Sequence, residues 1–255
     1  MGNLDFAAIA RAAESAADLA RRETLPRFRR VGFETKGDGS PVTEADRSAE
    51  RVIRQQLKNA FPDFAILGEE YGREGPADRP CWVVDPIDGT IAYSRGIPLF
   101  SSLIALLDER GDAVFGLIDC PTLGERYVGW KGGGCLRNGE PTRVSQEQDL
   151  ATAIVSHGDP FCFDFWEARQ VFARMGRDCG LLRGYTDAFG HAQVLGGGVA
   201  AMVDLGLNPW DAAATQVLVP EAGGRCVTLP EHKGKLGLVF GSPALVDQLV
   251  AWFDD

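Results

Sequence analysis

Four apolar residues, Cys81-Trp82-Val83-Val84, run straight into Asp85-Pro86-Ile87-Asp88-Gly89-Thr90, and no other stretch constrains the folding of this chain as much. The apolar run reads as a buried strand. It delivers directly into acidic residues. Asp85 and Asp88 straddle a proline-containing turn there, which lets both carboxylates and the Ile87 carbonyl face one pocket. A helix starting at Gly89 and Thr90 would add backbone N–H groups and its positive end, a seat for an anion.

The strand-like run at 64–67 enters Gly68-Glu69-Glu70 in the same way, and Asp211 stands at the start of a helix-like stretch over 210–220. Asp-Pro and Asp-Gly are good turn formers, and for the first segment taken alone a plain turn explains as much. Three acidic elements, each beside a strand end or a helix start, point instead to a cage of carboxylates. Such a cage suits hard cations with oxygen ligands, Mg2+ among them. Two such cations put positive charge on both the attacking and the leaving oxygen when water hydrolyses a phosphate monoester.

Around the cage the periodicity changes. Phe6, Ile9, Ala10, Ala13, Ala17 and Ala20 follow one helical face, which Pro26 limits. A turn-rich loop runs from Lys36 to Pro41. Thr43 then caps a second helix with Asp46 in capping-box position and Ala45, Ala49, Val52, Ile53 and Leu57 inward. Strand-like runs follow at 100–107, 113–118 and 126–130, and Asn138-Gly139 makes a tight turn before a strand at 142–144. From about Ala151 a strand at 153–156, a helix over 164–175, a strand at 200–204 and the helix at 210–220 alternate as in an α/β half. The expected organisation is an α+β subdomain over 1–148 and an α/β subdomain over 149–255.

With 255 residues, 45% of them hydrophobic, the chain can bury a core without metal or disulfide. A formal charge of -10 has the wrong sign for nucleic-acid backbones or anionic membranes, so neither is expected as a partner. Six cysteines without a CxxC pair read as reduced, mostly buried thiols. No apolar run nears the roughly 20 residues that span a bilayer, and no basic leader opens the chain, so a cytoplasmic protein is expected. His191 reads as a packed helical residue, and His157 and His232 lack metal-ligand spacing. Phe161, Phe163, Phe165 and Trp166 read as core or dimer-interface packing.

Gly68-Glu69-Glu70, WVVDPIDGT at 82–90 and PWDAAA at 209–214, in this order and at these separations, resemble the inositol monophosphatase superfamily. Thr43-Glu44-Ala45-Asp46 fits it too, and the resemblance spans nearly the whole chain. It implies a layered αβαβα sandwich with two subdomains and a Mg2+-dependent phosphomonoesterase carrying two or three ions per site. By the same resemblance Glu69, Asp85 and the Ile87 carbonyl bind one metal, and Asp85, Asp88 and Asp211 a second. Glu69 and Thr90 position and activate water, with Asp46 supporting them. Asp88 and the N–H groups of Gly89 and Thr90 meet the phosphate, and Lys36 belongs to a mobile loop that closes over the metals. A homodimer is usual in such families.

Gly96-Ile97-Pro98-Leu99-Phe100, Gly124-Glu125-Arg126-Tyr127-Val128-Gly129 and Arg183-Gly184-Tyr185-Thr186-Asp187 look closer to the histidinol-phosphatase branch. There Arg183, Asp187 and Asp204 would select the alcohol, Asp187 and Asp204 pairing with the ammonium and imidazole of histidinol phosphate. Inositol 1-phosphate, or another small sugar or nucleotide phosphate, stays open as the substrate, and a catalytically silent phosphometabolite-binding regulator is the remote alternative. The chain departs from that branch at His191, where an aromatic is expected, at Tyr93 in place of Phe, and at Gly196-Gly197-Gly198.

Overall fold

The structure, a computed structural model, describes residues 4–30, 32–35 and 41–254. Lys36 and the rest of its loop lie outside them. The first half opens with helix α1 (Phe6–Thr24), a two-strand ribbon of β1 (Glu34–Thr35) and β2 (Pro41–Val42), and helix α2 (Glu44–Ala60). Strands β3 (Ala65–Gly68), β4 (Gly72–Glu74) and β5 (Cys81–Asp88) follow, then the short helix α3 (Thr90–Ser94). The half closes with β6 (Ser101–Leu107), β7 (Ala113–Cys120), β8 (Glu125–Trp130), β9 (Gly134–Arg137) and β10 (Glu140–Pro141). Apart from the ribbon, these strands form one eight-stranded sheet in the order β10-β9-β8-β7-β6-β5-β3-β4.

The second half contains β11 (Ile154–His157), α4 (Pro160–Phe165), α5 (Arg169–Asp178), β12 (Leu181–Arg183), α6 (Asp187–Leu195) and β13 (Ala201–Leu207). It ends with α7 (Pro209–Glu221), β14 (Arg225–His232), β15 (Lys235–Gly241) and α8 (Pro243–Ala251). Its sheet has the order β12-β11-β13-β15-β14.

Burial assigns the layers. Ile9, Ala13, Ala17 and Ala20 of α1, with Ala49, Ile53 and Leu57 of α2, pack on one face of the eight-stranded sheet against Trp82, Val84 and Ile104. The opposite face, through Val83, Leu103 and Ile118, meets α6 and α7, whose far side meets Met202, Leu238 and Phe240 of the five-stranded sheet. Helices α4, α5 and α8 cover the remaining face through Phe163, Met175 and Leu249. The result is the αβαβα sandwich, with one continuous core joining both sheets through α6 and α7. No helix among the described residues is long and apolar enough to cross a membrane, and the six cysteines are free thiols.

Three expectations are corrected. The strand expected at 142–144 lies earlier: Asn138 and Gly139, at φ of 51° and 85°, turn β9 back on β10. Residues 142–144 instead bond to the second half, Thr142 Oγ1 donating to Leu195 O (2.9 Å) and Val144 N–H to Ala222 O (3.1 Å). The single helix expected over 164–175 is split into α4 and α5, because Glu167 takes a left-handed φ of 59° and Ala168 N–H caps back onto Phe163 O (2.8 Å). The α/β alternation of the second half is partial: β11 is parallel to β12 and β13, but β13, β15 and β14 are antiparallel. The β14–β15 hairpin turns at Lys233-Gly234, both at positive φ.

Candidate active site

Strands β3 and β5 are parallel with Gly68 opposite Val84, so β3 ends beside the point where β5 runs into Asp85. Glu69 and Asp85 therefore emerge next to each other, and Glu69 N–H donates to Val84 O (3.2 Å). The proline-containing turn expected after Val84 is instead a bulge inside β5: Asp85 pairs with Leu103 and Asp88 with Ser101, leaving Pro86 and Ile87 opposite Ser102 alone. A bulge is where a strand tolerates proline, since the missing N–H is not needed there. Ser102 Oγ donates to Pro86 O (2.7 Å), and Ile87 N–H to Asp85 Oδ1 (3.0 Å). The Ile87 side chain, fully buried with Ala45, Tyr93 and Phe100, anchors the bulge in a small core of its own. Tyr93 adds a tie that Phe could not make, its hydroxyl donating to Thr24 O (2.8 Å) at the end of α1.

Helix N-termini supply the other acids. Asp46 and Asp211 are both the third residue of a helix, and in each the N-cap residue holds Oδ2. Thr43 donates from N–H (2.8 Å) and hydroxyl (2.6 Å) to Asp46, and Asn208 from N–H (2.7 Å) and Nδ2 (3.2 Å) to Asp211. The capping box thus accounts for one oxygen of Asp46 only, and Oδ1 accepts the Thr90 hydroxyl (3.2 Å). Helix α6 starts at Asp187 with a left-handed φ of 59°, a costly conformation that Asp tolerates better than most residues. It aims the Ala188 N–H at the Asp88 carboxylate. Gly89 is also left-handed (φ 85°), and a Cβ there would stand 2.8 Å from Leu99 O. The helix expected after it, α3, is only five residues long, so anion binding here would rest on the individual N–H groups of Gly89 and Thr90.

Oxygens of Asp85, Asp88 and Asp211 lie within 4.8 Å of one another. Burial, then Glu69, Asp88 and Asp211, pushes the Asp85 carboxyl well above its ordinary range. Asp88 rises likewise through burial and Asp187, Asp211 to about 7, mainly through burial and Glu69 against the Asn208 hydrogen bonds, and Asp187 to about 6. Asp46 is also raised by burial. Crowded carboxylates resist ionising together, and a cation among them removes that resistance. The donors are oxygens, with no thiolate or imidazole among them, so the set fits a hard divalent cation.

Beside this cluster lies a cavity of about 170 Å3, walled by Asp88 and Asp211 on the cluster side and by Asp159, Phe161, Asp187, His191 and Asp204 beyond it. No Lys or Arg lines it among the described residues. Asp187 and Asp204 therefore line the cavity that adjoins the cluster. Arg183 does not: it is exposed on β12, its Nη1 donates to Leu182 O (2.8 Å), and it is absent from the cavity wall. His191 is packed in α6 as expected, 1% exposed, but also bonds to Asp204. The aromatic cluster divides, Phe163 entering the core while Phe161, 65% exposed, stands at the cavity.

Sequence reasoning missed Asp159, for which the only signal was an acid before the helix-starting Pro160, and Glu50. Glu50 is fully buried and accepts from Arg54 Nε (2.7 Å), Glu70 N–H (2.7 Å) and Tyr71 N–H (3.2 Å). It therefore shapes the turn that presents Glu69, and Gly68 is glycine because a methyl there would overlap the Glu50 carboxylate. Removing one partner of a buried ion pair strands the other. Glu50→Ala should accordingly lower unfolding free energy by ~3–5 kcal/mol in urea titrations. A loss within the scatter of surface substitutions would contradict this role.

The model of the inositol monophosphatase family matches residues 3–246. A histidinol-phosphatase of Chlorobaculum parvum is 36% identical over 228 residues, 88% of this chain and 86% of that protein. An inositol-1-monophosphatase of Mesorhizobium japonicum is 36% identical over 196 residues, 74% of this chain and 72% of that protein. Among solved structures, the extragenic suppressor protein suhB of Bartonella henselae superposes with a TM-score of 0.86 at 26% identity, covering 96% of this chain and 98% of its own. Carboxylates gathered at paired strand ends and helix starts, in a fold shared over whole chains, place the protein among metal-dependent phosphoric monoester hydrolases: it belongs to the inositol monophosphatase family.

Proposed function

We propose that the chain hydrolyses histidinol phosphate, using two or three Mg2+ ions held by Glu69, Asp85, the Ile87 carbonyl, Asp88 and Asp211. The observation that carries the choice of alcohol is the wall of the cavity, where Asp159, Asp187 and Asp204 stand with no Lys or Arg among the described residues. Carboxylates give an ammonium or imidazolium charge-assisted partners, whereas the hydroxyls of inositol call for none. The name of the Chlorobaculum relative supports the same reading. That of the Mesorhizobium relative, at the same identity, supports inositol 1-phosphate as the second. A homodimer is part of the proposal on the family resemblance, with sedimentation as the check on its assembly, and a cytoplasmic location is carried with it from the sequence reading.

When bound, the cations supply positive charge at the attacking and leaving oxygens. The Thr90 hydroxyl has one proton and two acceptors, Ile87 O at 2.9 Å and Asp46 Oδ1 at 3.2 Å. Donation to Asp46 leaves its lone pairs to accept from the attacking water, which Glu69 would deprotonate. The N–H groups of Gly89 and Thr90 would hold the phosphate, and the cavity beyond Asp88 the alcohol.

The test is kcat/KM in Mg2+ for histidinol phosphate, inositol 1-phosphate and glycerol phosphate, with the first expected highest. A higher value for inositol 1-phosphate overturns the assignment. Asp187→Asn keeps the shape and tolerates the left-handed backbone, so it should cost histidinol phosphate ~10-fold or more in kcat/KM and inositol 1-phosphate much less. Equal losses would remove Asp187 from alcohol recognition.

A further inference from the structure

The cavity's far wall contains a buried chain of polar groups that phosphate release does not use. Thr215, fully buried on α7, places Oγ1 2.6 Å from His191 Nδ1, and His191 Nε2 lies 3.0 Å from Asp204 Oδ2. Their directions follow from chemistry. A carboxylate only accepts, so Nε2 carries a proton and donates to Asp204 Oδ2, while Nδ1 pairs with the Thr215 hydroxyl. The ring also packs edge-on against Phe240, with centroids 4.8 Å apart, which fixes its plane. Asp204 is only 4% exposed, and its Oδ1 stands against Gly158, where a methyl would overlap it. One oxygen is thus tethered, and the other occupies the room that Gly158 leaves, on a residue that lines the cavity. Buried polar groups are costly unless they are satisfied, and the hydrogen bonds of this chain account for the Thr215 hydroxyl, both ring nitrogens and Asp204 Oδ2.

We propose that His191 is a specificity-determining positioning residue: with Thr215 behind it, it locks Asp204 so that Oδ1 accepts from the cationic group of the substrate alcohol. This inference rests on the histidinol phosphate reading. An imidazole orients the carboxylate through one hydrogen bond on a ring whose plane Phe240 fixes, where Lys or Arg would bring a permanent charge on a flexible stem. The hydrogen bonds of His191 run to Thr215 and Asp204, not to Asp85, Asp88 or Asp211, so its effect should fall on binding of the organic group.

The experiment measures kcat and KM in Mg2+ for histidinol phosphate and glycerol phosphate, with wild type, His191→Phe, His191→Gln, Thr215→Val and Gly158→Ala. His191→Phe keeps an aromatic ring against Phe240 but lacks both hydrogen bonds. It should raise KM for histidinol phosphate ~10- to 100-fold, the range for losing a hydrogen bond to a charged group, with little change in kcat. KM for glycerol phosphate should move less than ~3-fold in the same variant. His191→Gln, which can restore the donor, should recover much of the loss. Gly158→Ala, which displaces Oδ1 without touching His191, should reproduce the selective rise even if His191→Phe does not fold. Equal KM changes for both substrates, or an unchanged KM for histidinol phosphate in Gly158→Ala and Thr215→Val, overturn the inference. A wild-type enzyme that prefers the neutral substrate overturns the substrate reading itself, and this inference with it.

Discussion

Asp85→Asn is expected to lower kcat/KM at least ~10³-fold while raising the melting temperature of the metal-free protein. Both effects have one origin. Asp85 is 2% exposed, and Glu69, Asp88, Asp211 and Asp46 all raise its carboxyl. Asparagine preserves the side-chain shape and can still accept from Ile87 N–H at the bulge. What it removes is a charge that the family resemblance places between two cations, and that without them only repels its neighbours. A substitution that merely damaged the fold would lower the melting temperature together with activity. Steady-state kinetics and thermal melts in chelator separate the two, and a fall in both would contradict the charge argument.

The second large effect is a dependence of stability on pH that metal should suppress. The carboxyls of Asp85, Asp88, Asp187 and Asp211 are raised above the ordinary range near 4, Asp187 to about 6 and Asp211 to about 7. Between pH 4 and 7 the metal-free native state thus holds protons that the unfolded chain has lost. Unfolding free energy then falls as pH rises, because the unfolded state binds fewer protons than the native one. For Asp187 and Asp211 the contribution is fully present below pH ~4 and is lost as pH passes about 6 and about 7, a swing on the order of a few kcal/mol. The carboxyls of Glu74, Asp164 and Asp178, lowered mainly by Lys58, Arg169 and Arg177, act in the opposite sense at the surface. They are common to both forms and cancel when the two are compared. Urea titrations at pH 5 and pH 8, in chelator and in saturating Mg2+, should show the metal-free protein weaker at pH 8 and the difference reduced in Mg2+. Greater metal-free stability at pH 8, or an equal slope with Mg2+, would show that the cluster is not the source.

The parts of this site legible in the sequence are those whose chemistry and local geometry share a few consecutive residues. An apolar run ending in Asp85 and another ending before Glu69 announce two strand ends, and the parallel pairing of β3 and β5 sets those ends together. Asp46 was legible as a capping acid from its three-residue spacing to Thr43, but the hydrogen bond to Thr90, 44 positions away, has no local signature. The bulge in β5 escaped notice because Asp-Pro reads equally well as a turn, and only the pairing with Ser101 and Leu103 distinguishes them. Glu50 lies in a polar helical stretch where a glutamate ordinarily faces solvent, and its burial depends on Arg54 and the Glu70 turn folding over it. Arg183 entered with Asp187 on the resemblance of the block 183–187, yet β12 ends at Arg183 and the residue is exposed. His191 read correctly as a packed residue; its bonds to Asp204 and Thr215 require α6, β13 and α7 to meet.

The most direct measurement is phosphate release by protein stripped with chelator, followed as Mg2+ is titrated back into wild type and Asp85→Asn. Carboxylates that hold the catalytic cations predict no turnover in chelator, saturable recovery in wild type, and recovery in Asp85→Asn smaller by at least ~10³-fold at any Mg2+ concentration. Turnover that survives chelation, or an Asp85→Asn enzyme restored to the wild-type rate, would contradict it.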